Sequence, residues 1–175
     1  EEVLYIENKI LTFCSMYAKD EYGELEYLNW DLIKENVIEL NGVLDTVILD
    51  MAEVEISNED IVVFKDRVDR LSIATSNKDI AAVLEEYRNL YSILPSYAAK
   101  AFKNKNDVKQ LELKSQVVSS FVFSNLLDWE QATAAVEQAE SKYSDYIKNR
   151  GTGLKNTYAK LKAGEQVNVL YMGGS

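Results

Sequence analysis

The stretch of sequence that decides the fold runs from Trp30 to Val54 and reads WDLIKENVIELNGVLDTVILDMAEV. Large apolar residues recur in it at alternating steps of three and four, and acids, Asn or Lys fill most intervening positions. This spacing places one narrow apolar seam along a helix, as in helical bundles and coiled coils. The seam residues are Trp30, Ile33, Val37, Leu40, Leu44, Val47, Met51 and Val54. We therefore predict one long helix over about 29–55 with a strongly acidic outer face.

The same rhythm recurs on both sides of this stretch, which predicts further amphipathic helices. Together with the helix at 29–55, the predicted helices cover about 2–18, 29–55, 57–75, 79–94, 107–126 and 129–149. Ser57, Asp79 and Asp128 stand where helix N-caps are expected. Pro95 lacks a backbone donor, so the helix before it should end or kink there, with a further helical piece to about 102. A short helix to about 162 and an apolar stretch at 166–172, either a docked tail or a strand, follow.

The connections between these helices are short, so consecutive helices should be antiparallel neighbours. The chain has 175 residues and no linker rich in Pro, Gly or Ser, which predicts a single helical domain over 1–175. Residues 1–28 would form an N-terminal helix and an acidic turn, and 164–175 a tail. We predict an all-α fold: an antiparallel up-and-down bundle of about six main helices. The helix that begins at Asp128 resembles the second helix of a tetratricopeptide unit of about 34 residues, with Ala132 and Ala139 at its small-residue positions and Ser120 in the first helix. Part of the bundle is therefore also a candidate for αα-hairpin packing of that kind.

The composition removes most catalytic and metal chemistry. The chain has no His and one Cys, so it lacks Ser-His or Cys-His nucleophile pairs and Cys/His zinc sites. The acids around Gly23 do not follow the EF-hand pattern, and we interpret them as a solvated turn. Cys14 lies on an apolar helical pattern and is expected to be a small buried hydrophobe. We therefore expect no cofactor, no metal and no enzymatic activity; an enzyme that uses two carboxylates is the less favoured alternative.

Charge is unevenly distributed along the chain. The net charge is −10, and residues 20–60 hold thirteen acids against the single base Lys34. Nucleic-acid binding needs a basic surface, so we expect no nucleic-acid partner. The acidic segment would prefer a cationic partner, or it is simply a solvated face. No apolar run reaches the roughly 18 residues of a membrane span, so none is expected in this chain.

Aromatic residues are the remaining candidates for recognition, since Tyr and Trp are amphipathic and common at binding surfaces. Six of them could line a groove between the helices at 79–94 and 129–149; alternatively they seal the bundle edges with their hydroxyls in water. These candidate partner-binding residues are Tyr87, Tyr91, Tyr97, Trp129, Tyr143 and Tyr146. Trp129 also continues the apolar stripe of the last long helix, so it is expected to be a core residue, like Trp30 and Leu40.

Several short motifs occur in a characteristic order: NWD at 29–31, VEISNEDI at 54–61, NKD at 77–79 with LYSILPSY at 90–97, and DWE at 128–130. This order resembles a family of uncharacterised helical lipoproteins and secreted proteins of clostridia and related Firmicutes. The resemblance implies an extracytoplasmic all-helical domain, with any lipid-bearing Cys upstream of residue 1, and brings no catalytic residue.

The leading hypothesis is therefore a non-enzymatic extracytoplasmic binding module for a protein, a peptide or a cell-wall component. A cytoplasmic location is the alternative to the extracytoplasmic one. A tetratricopeptide-like scaffold that binds a peptide or a partner helix is the alternative to the closed bundle.

Overall fold

Helices account for most of the chain that the structure describes. The structure is a computed structural model, and it describes residues 2–15, 17–19, 25–101 and 105–150. The elements are α1 (Glu2–Ser15), β1 (Tyr17–Lys19), β2 (Leu25–Leu28), α2 (Trp30–Gly42), α3 (Leu44–Glu53), α4 (Asn58–Ser76), α5 (Ile80–Ala101), α6 (Lys105–Asn125) and α7 (Trp129–Arg150). The predicted all-α helical bundle is thus confirmed.

A short antiparallel strand pair follows the first helix, which ends at Ser15 rather than near residue 18. Tyr17 of β1 lies opposite Leu28 of β2, so the pair leads the chain back to the start of α2. The predicted acidic turn at 20–24 lies outside the described residues. So do the predicted short helix to about 162 and the tail at 164–175.

Helix α5 lies at the centre of the bundle, with α4, α6 and α1 packed against it. Helix α2 packs on α4 and α1, and α7 packs on α6 at the end of the row. The apolar faces of α1 to α6 meet in one continuous core. Among the described side chains of α7, only Ala132 and Ala135 are buried. The last helix therefore adds little apolar area to the core.

The predicted helix starts are confirmed by side-chain caps. Ser57 Oγ accepts the Asp60 amide at 3.1 Å, Asp79 Oδ1 accepts the Ala82 amide at 3.1 Å, and Asp128 Oδ1 accepts the Gln131 amide at 3.1 Å. Each cap supplies a partner to an amide that the first helical turn leaves without a backbone acceptor.

Three helices end in the same tight turn, with a non-glycine residue in the left-handed region. These residues are Glu55, Lys78 and Leu127, with φ of 60°, 54° and 62°. At one of these turns the Lys78 amide donates to the Thr75 carbonyl, and the Asp79 amide donates to the Ala74 carbonyl. This pair of bonds is the Schellman turn, which usually takes Gly at the left-handed position. The sequence gives no glycine signal at any of these turns.

The predicted single helix over 29–55 is wrong, because the helix is interrupted at Val43, between α2 and α3. The Val43 amide bonds the Asn41 carbonyl instead of continuing the helical ladder. Gly42 has a low helix propensity, and the Asn41 side chain donates to the Val37 carbonyl at 2.9 Å and to Ser72 Oγ at 2.9 Å. The apolar seam continues across the break, which is why periodicity alone did not show it.

Of the two outcomes predicted at Pro95, an end or a kink of the helix, the end is wrong. Helix α5 runs from Ile80 to Ala101 with Pro95 inside it. The missing amide costs one backbone hydrogen bond, but Pro95 is buried together with its neighbours Leu94 and Tyr97. Packing against α4 and α1 on both sides of the proline therefore holds the helix together.

Candidate ligand-binding site

The six aromatic residues predicted to line one groove do not share a surface. Tyr87 and Tyr91 are fully buried, so they belong to the core and the prediction of a groove lined by them is wrong. The Tyr87 ring stacks on Phe13 with centroids 4.1 Å apart, and its hydroxyl donates to Asn36 Oδ1 at 2.8 Å. Burial raises the pKa of the Tyr87 hydroxyl far above its usual range. This hydroxyl therefore acts as a fixed donor between α5 and α2.

Tyr91 forms a polar cluster with the buried Glu7 and the partly exposed Lys114. The Tyr91 hydroxyl donates to Glu7 Oε1 at 2.8 Å, and Lys114 Nζ donates to the same oxygen at 2.6 Å. Glu7 is only 6% exposed, and the Lys114 ammonium balances its charge. Burial, and then the bond to Glu7, raise the pKa of Tyr91 well above its usual range. The cluster ties α1 to α5 and α6.

Tyr97 is buried near the end of α5 and faces α4. Its hydroxyl donates to the Asp60 carbonyl at 2.9 Å, and its ring meets Phe64 edge-on with centroids 6.1 Å apart. Burial raises the pKa of the Tyr97 hydroxyl to about 12, with a smaller contribution from the Asp60 charge. The hydroxyl is turned away, so Tyr97 presents an apolar ring to the end of the bundle.

The predicted core position of Trp129 is wrong. Trp129 and Tyr143 on α7 are 64% and 55% exposed, and Tyr146 is half-buried. A shallow apolar surface runs beside Trp129, past Phe121 of α6 and Val136 of α7. Because α6 is the only described helix that packs extensively on α7, and small alanines are the buried residues of α7 there, the large residues of its stripe lie at the surface.

An apolar pocket lies at the end of the bundle where α1 begins and where α3 and α5 end. Its volume is about 420 Å³, within the range of small-molecule sites. Its wall consists of Val3, Ile6, Val47, Asp50, Met51, Glu53, Val54, Leu94, Tyr97 and Ala101. Helix α3 packs on α4 and α2 but makes no extensive contact with α1 or α5, so the pocket is the gap that the Val43 break opens. None of the six predicted site residues except Tyr97 lines it.

The electrostatics of the apolar pocket are one-sided. Among the described residues, two charged ones line the pocket: Asp50 and Glu53, which are both acids and lie three residues apart on α3. The nearby Lys100 Nζ donates to the Glu55 carbonyl at 2.7 Å, where it caps the end of α3. A molecule that fills the pocket would therefore meet apolar walls below and two carboxylates beside it. The excess of acids at 20–60 predicted a negative charge for this region of the surface, but no pattern in the sequence predicted the cavity.

Cys14 is half-buried on α1 and packs against the core. Burial raises the pKa of its thiol to about 11. A thiol of this kind carries little thiolate at neutral pH and is a poor nucleophile, consistent with the expected role as a small hydrophobe.

Within the described residues, no helix is long and apolar enough to cross a membrane, and no group of three or more acids and Cys is arranged to hold a metal ion. No family model, curated protein or solved structure matches the chain. The resemblance to clostridial lipoproteins therefore stays a prediction.

Proposed function

We propose that the protein is a non-enzymatic binding module whose apolar pocket takes a molecule with an apolar body and a positively charged group. The observation that carries this proposal is the combination of a cavity of about 420 Å³ with a largely apolar wall and two acids as the only charged residues among the described ones that line it. Apolar contact supplies most of the binding free energy in such sites, and a few polar groups fix the orientation.

The position of the acids favours binding over catalysis. Asp50 and Glu53 lie on the same wall, since both belong to α3 and are three residues apart. Glycoside hydrolysis, the reaction for which a pair of carboxylates is best known, needs the two groups on opposite sides of the scissile bond. Two neighbouring carboxylates instead attract one cation, and the excess of acids at 20–60 adds to that attraction. The carboxylate-dependent enzyme is therefore less well supported.

Calorimetric titration with decyltrimethylammonium, below its micelle concentration, tests the proposal. Decyl sulfonate is the matched probe with the same chain and the opposite charge. We expect the cation to bind at least about tenfold more tightly, because each part-exposed carboxylate contributes roughly 0.5–1 kcal/mol. Equal affinities for the two probes, or no binding of either, would contradict the proposal.

Variants locate the binding on the pocket. Asp50→Asn/Glu53→Gln should weaken binding of the cation about tenfold. The control Glu35→Gln/Asp45→Asn changes the net charge equally at exposed positions outside the pocket wall, and it should change the affinity less than about twofold. Equal losses in the two double variants would show a diffuse charge effect rather than a site.

An extracytoplasmic location is supported only by the resemblance of the helix-cap motifs to clostridial lipoproteins, and we retain it as part of the proposal. The scaffold alternative depended on Tyr87 lining a concave face. Since Tyr87 is buried, that arrangement is less well supported than the pocket.

A further inference from the structure

A second cavity, of opposite chemical character, lies on the other side of α5, between α5, α6 and α7. We call it the Arg88 pocket. Its volume is about 260 Å³, and its polar lining includes Arg88, Ser115, Gln116, Ser119, Gln131 and Gln138. It lies between the two helices where the groove was expected, but amides, hydroxyls and one guanidinium replace the predicted tyrosines.

The guanidinium of Arg88 is held in place by its neighbours, but not all of its N–H groups are engaged in hydrogen bonds. It lies over the Phe123 ring at 4.8 Å from the centroid, and its Nη2 donates to Asn89 Oδ1 at 2.9 Å. Its Nε is buried and has no hydrogen-bond partner. No carboxylate in the described part of the chain forms an ion pair with Arg88. A buried charged donor without an acceptor is unfavourable unless a ligand or solvent supplies one.

The other described lining residues are neutral; most of them are polar, and Phe123, Ala134 and Ala135 form the apolar part of the wall. The side chains of Gln116, Gln131 and Gln138 are not engaged in any hydrogen bond with the described residues, so each amide can both donate and accept. The Ser119 hydroxyl donates to the Ser115 carbonyl at 2.9 Å, which leaves its oxygen as an acceptor. Within the described part of the chain, no acid lines the cavity. Amides and hydroxyls of this kind match the hydroxyl groups of a ligand.

From this arrangement we infer that the Arg88 pocket binds a small hydroxylated carboxylate, such as a sugar acid. The guanidinium pairs with the planar carboxylate, for which its forked donors are suited. The three glutamine amides bind the hydroxyl groups. The small volume excludes large ligands, and the net charge of −10 repels anions at long range. Binding therefore depends on Arg88 itself.

The experiment is a titration of ¹⁵N-labelled protein followed by NMR, which gives an affinity and reports the glutamine side-chain amides. The probes are glucuronate, glucose, acetate and inorganic phosphate. Glucose lacks the carboxylate, acetate lacks the hydroxyls, and phosphate represents the other common oxyanion. We expect glucuronate to bind at least tenfold more tightly than each of the other three. No binding of glucuronate, or an equal affinity for any other probe, would overturn the inference.

Variants assign the role of each group. Arg88→Gln should weaken glucuronate binding at least tenfold, and Arg88→Lys several-fold, because an ammonium lacks the forked geometry. Arg70→Gln is the matched control, since Arg70 is exposed on α4 and pairs with Asp66; it should leave the affinity unchanged. Gln131→Ala and Gln138→Ala change exposed residues, so they should fold normally and weaken binding several-fold. Unchanged affinity in both glutamine variants and in Arg88→Gln would refute the site.

Discussion

The polar cluster of Glu7, Tyr91 and Lys114 gives the sharpest prediction about stability. In the wild type, Tyr91→Phe removes a hydrogen bond of 2.8 Å to a buried carboxylate. Bonds to charged groups contribute about 1.5–3 kcal/mol, and Lys114 remains as the second partner of the same oxygen. We therefore expect a loss near the middle of that range, about 2 kcal/mol.

The same substitution should have the opposite sign once Glu7 is removed. In the Glu7→Leu background the Tyr91 hydroxyl is a buried donor that has lost its acceptor, and such a group costs about 1–3 kcal/mol. Tyr91→Phe then removes the unsatisfied hydroxyl and should stabilise the protein by about 1 kcal/mol. The coupling between the two positions is thus about 3 kcal/mol, at the upper end for residues in contact.

Urea unfolding at pH 7, followed by far-ultraviolet circular dichroism, measures the four proteins of this cycle. The matched control is Tyr97→Phe, because its hydroxyl bonds the Asp60 carbonyl and shares no partner with Glu7. Its cost should be the same in both backgrounds. If Tyr91→Phe costs the same with and without Glu7, the hydroxyl does not depend on the carboxylate and our account of the cluster is wrong.

Three further predictions concern the core, the turns and alkaline pH. Leu40→Ala should cost about 2–5 kcal/mol because Leu40 is 1% exposed, whereas Trp129→Ala should cost less than about 1 kcal/mol because Trp129 is 64% exposed; thermal melts that reverse this order would contradict the assigned burial. Lys78→Gly should raise the free energy of unfolding by about 0.5–1 kcal/mol, since its φ of 54° strains any side chain; denaturant titration that shows a loss would argue against the left-handed turn. The Cys14 thiol has its pKa raised to about 11 by burial, so the folded state holds this proton more tightly than the unfolded state. The contribution of this proton to the free energy of unfolding is complete below the pKa of the unfolded thiol and is lost as pH rises from about 9 to 11, at about 1.4 kcal/mol per pH unit. Cys14→Ala should flatten the fall in stability over that interval. An identical slope in the variant and the wild type would be inconsistent with a buried thiol.

Much of the fold follows from the sequence because helix formation depends on local patterns. The apolar steps of three and four fixed which face of each helix from α1 to α6 is buried, and Ser57, Asp79 and Asp128 marked three helix starts through their own side chains. These signals need no knowledge of the partners, since a capping side chain and its amide lie within a few residues.

The tertiary structure decided the features that involve more than one element. The apolar spacing continues through Val43, so it does not reveal the interruption between α2 and α3. The continuity of α5 across Pro95 depends on the helices packed around the proline. The stripe of α7 reads like those of the other helices, yet no described helix other than α6 packs extensively on it, so Trp129 and Tyr143 are exposed. Periodicity defines a face but not whether another element covers it.

The candidate sites show the same division. The sequence determined that the chain lacks His, carries its acids at 20–60 and is rich in Tyr. Only the packing decided that Tyr87 and Tyr91 are core residues, that Asp50 and Glu53 border an apolar pocket, and that Arg88 lines a polar one. A cavity is the space between elements far apart in the chain, and no local pattern of residues encodes that space.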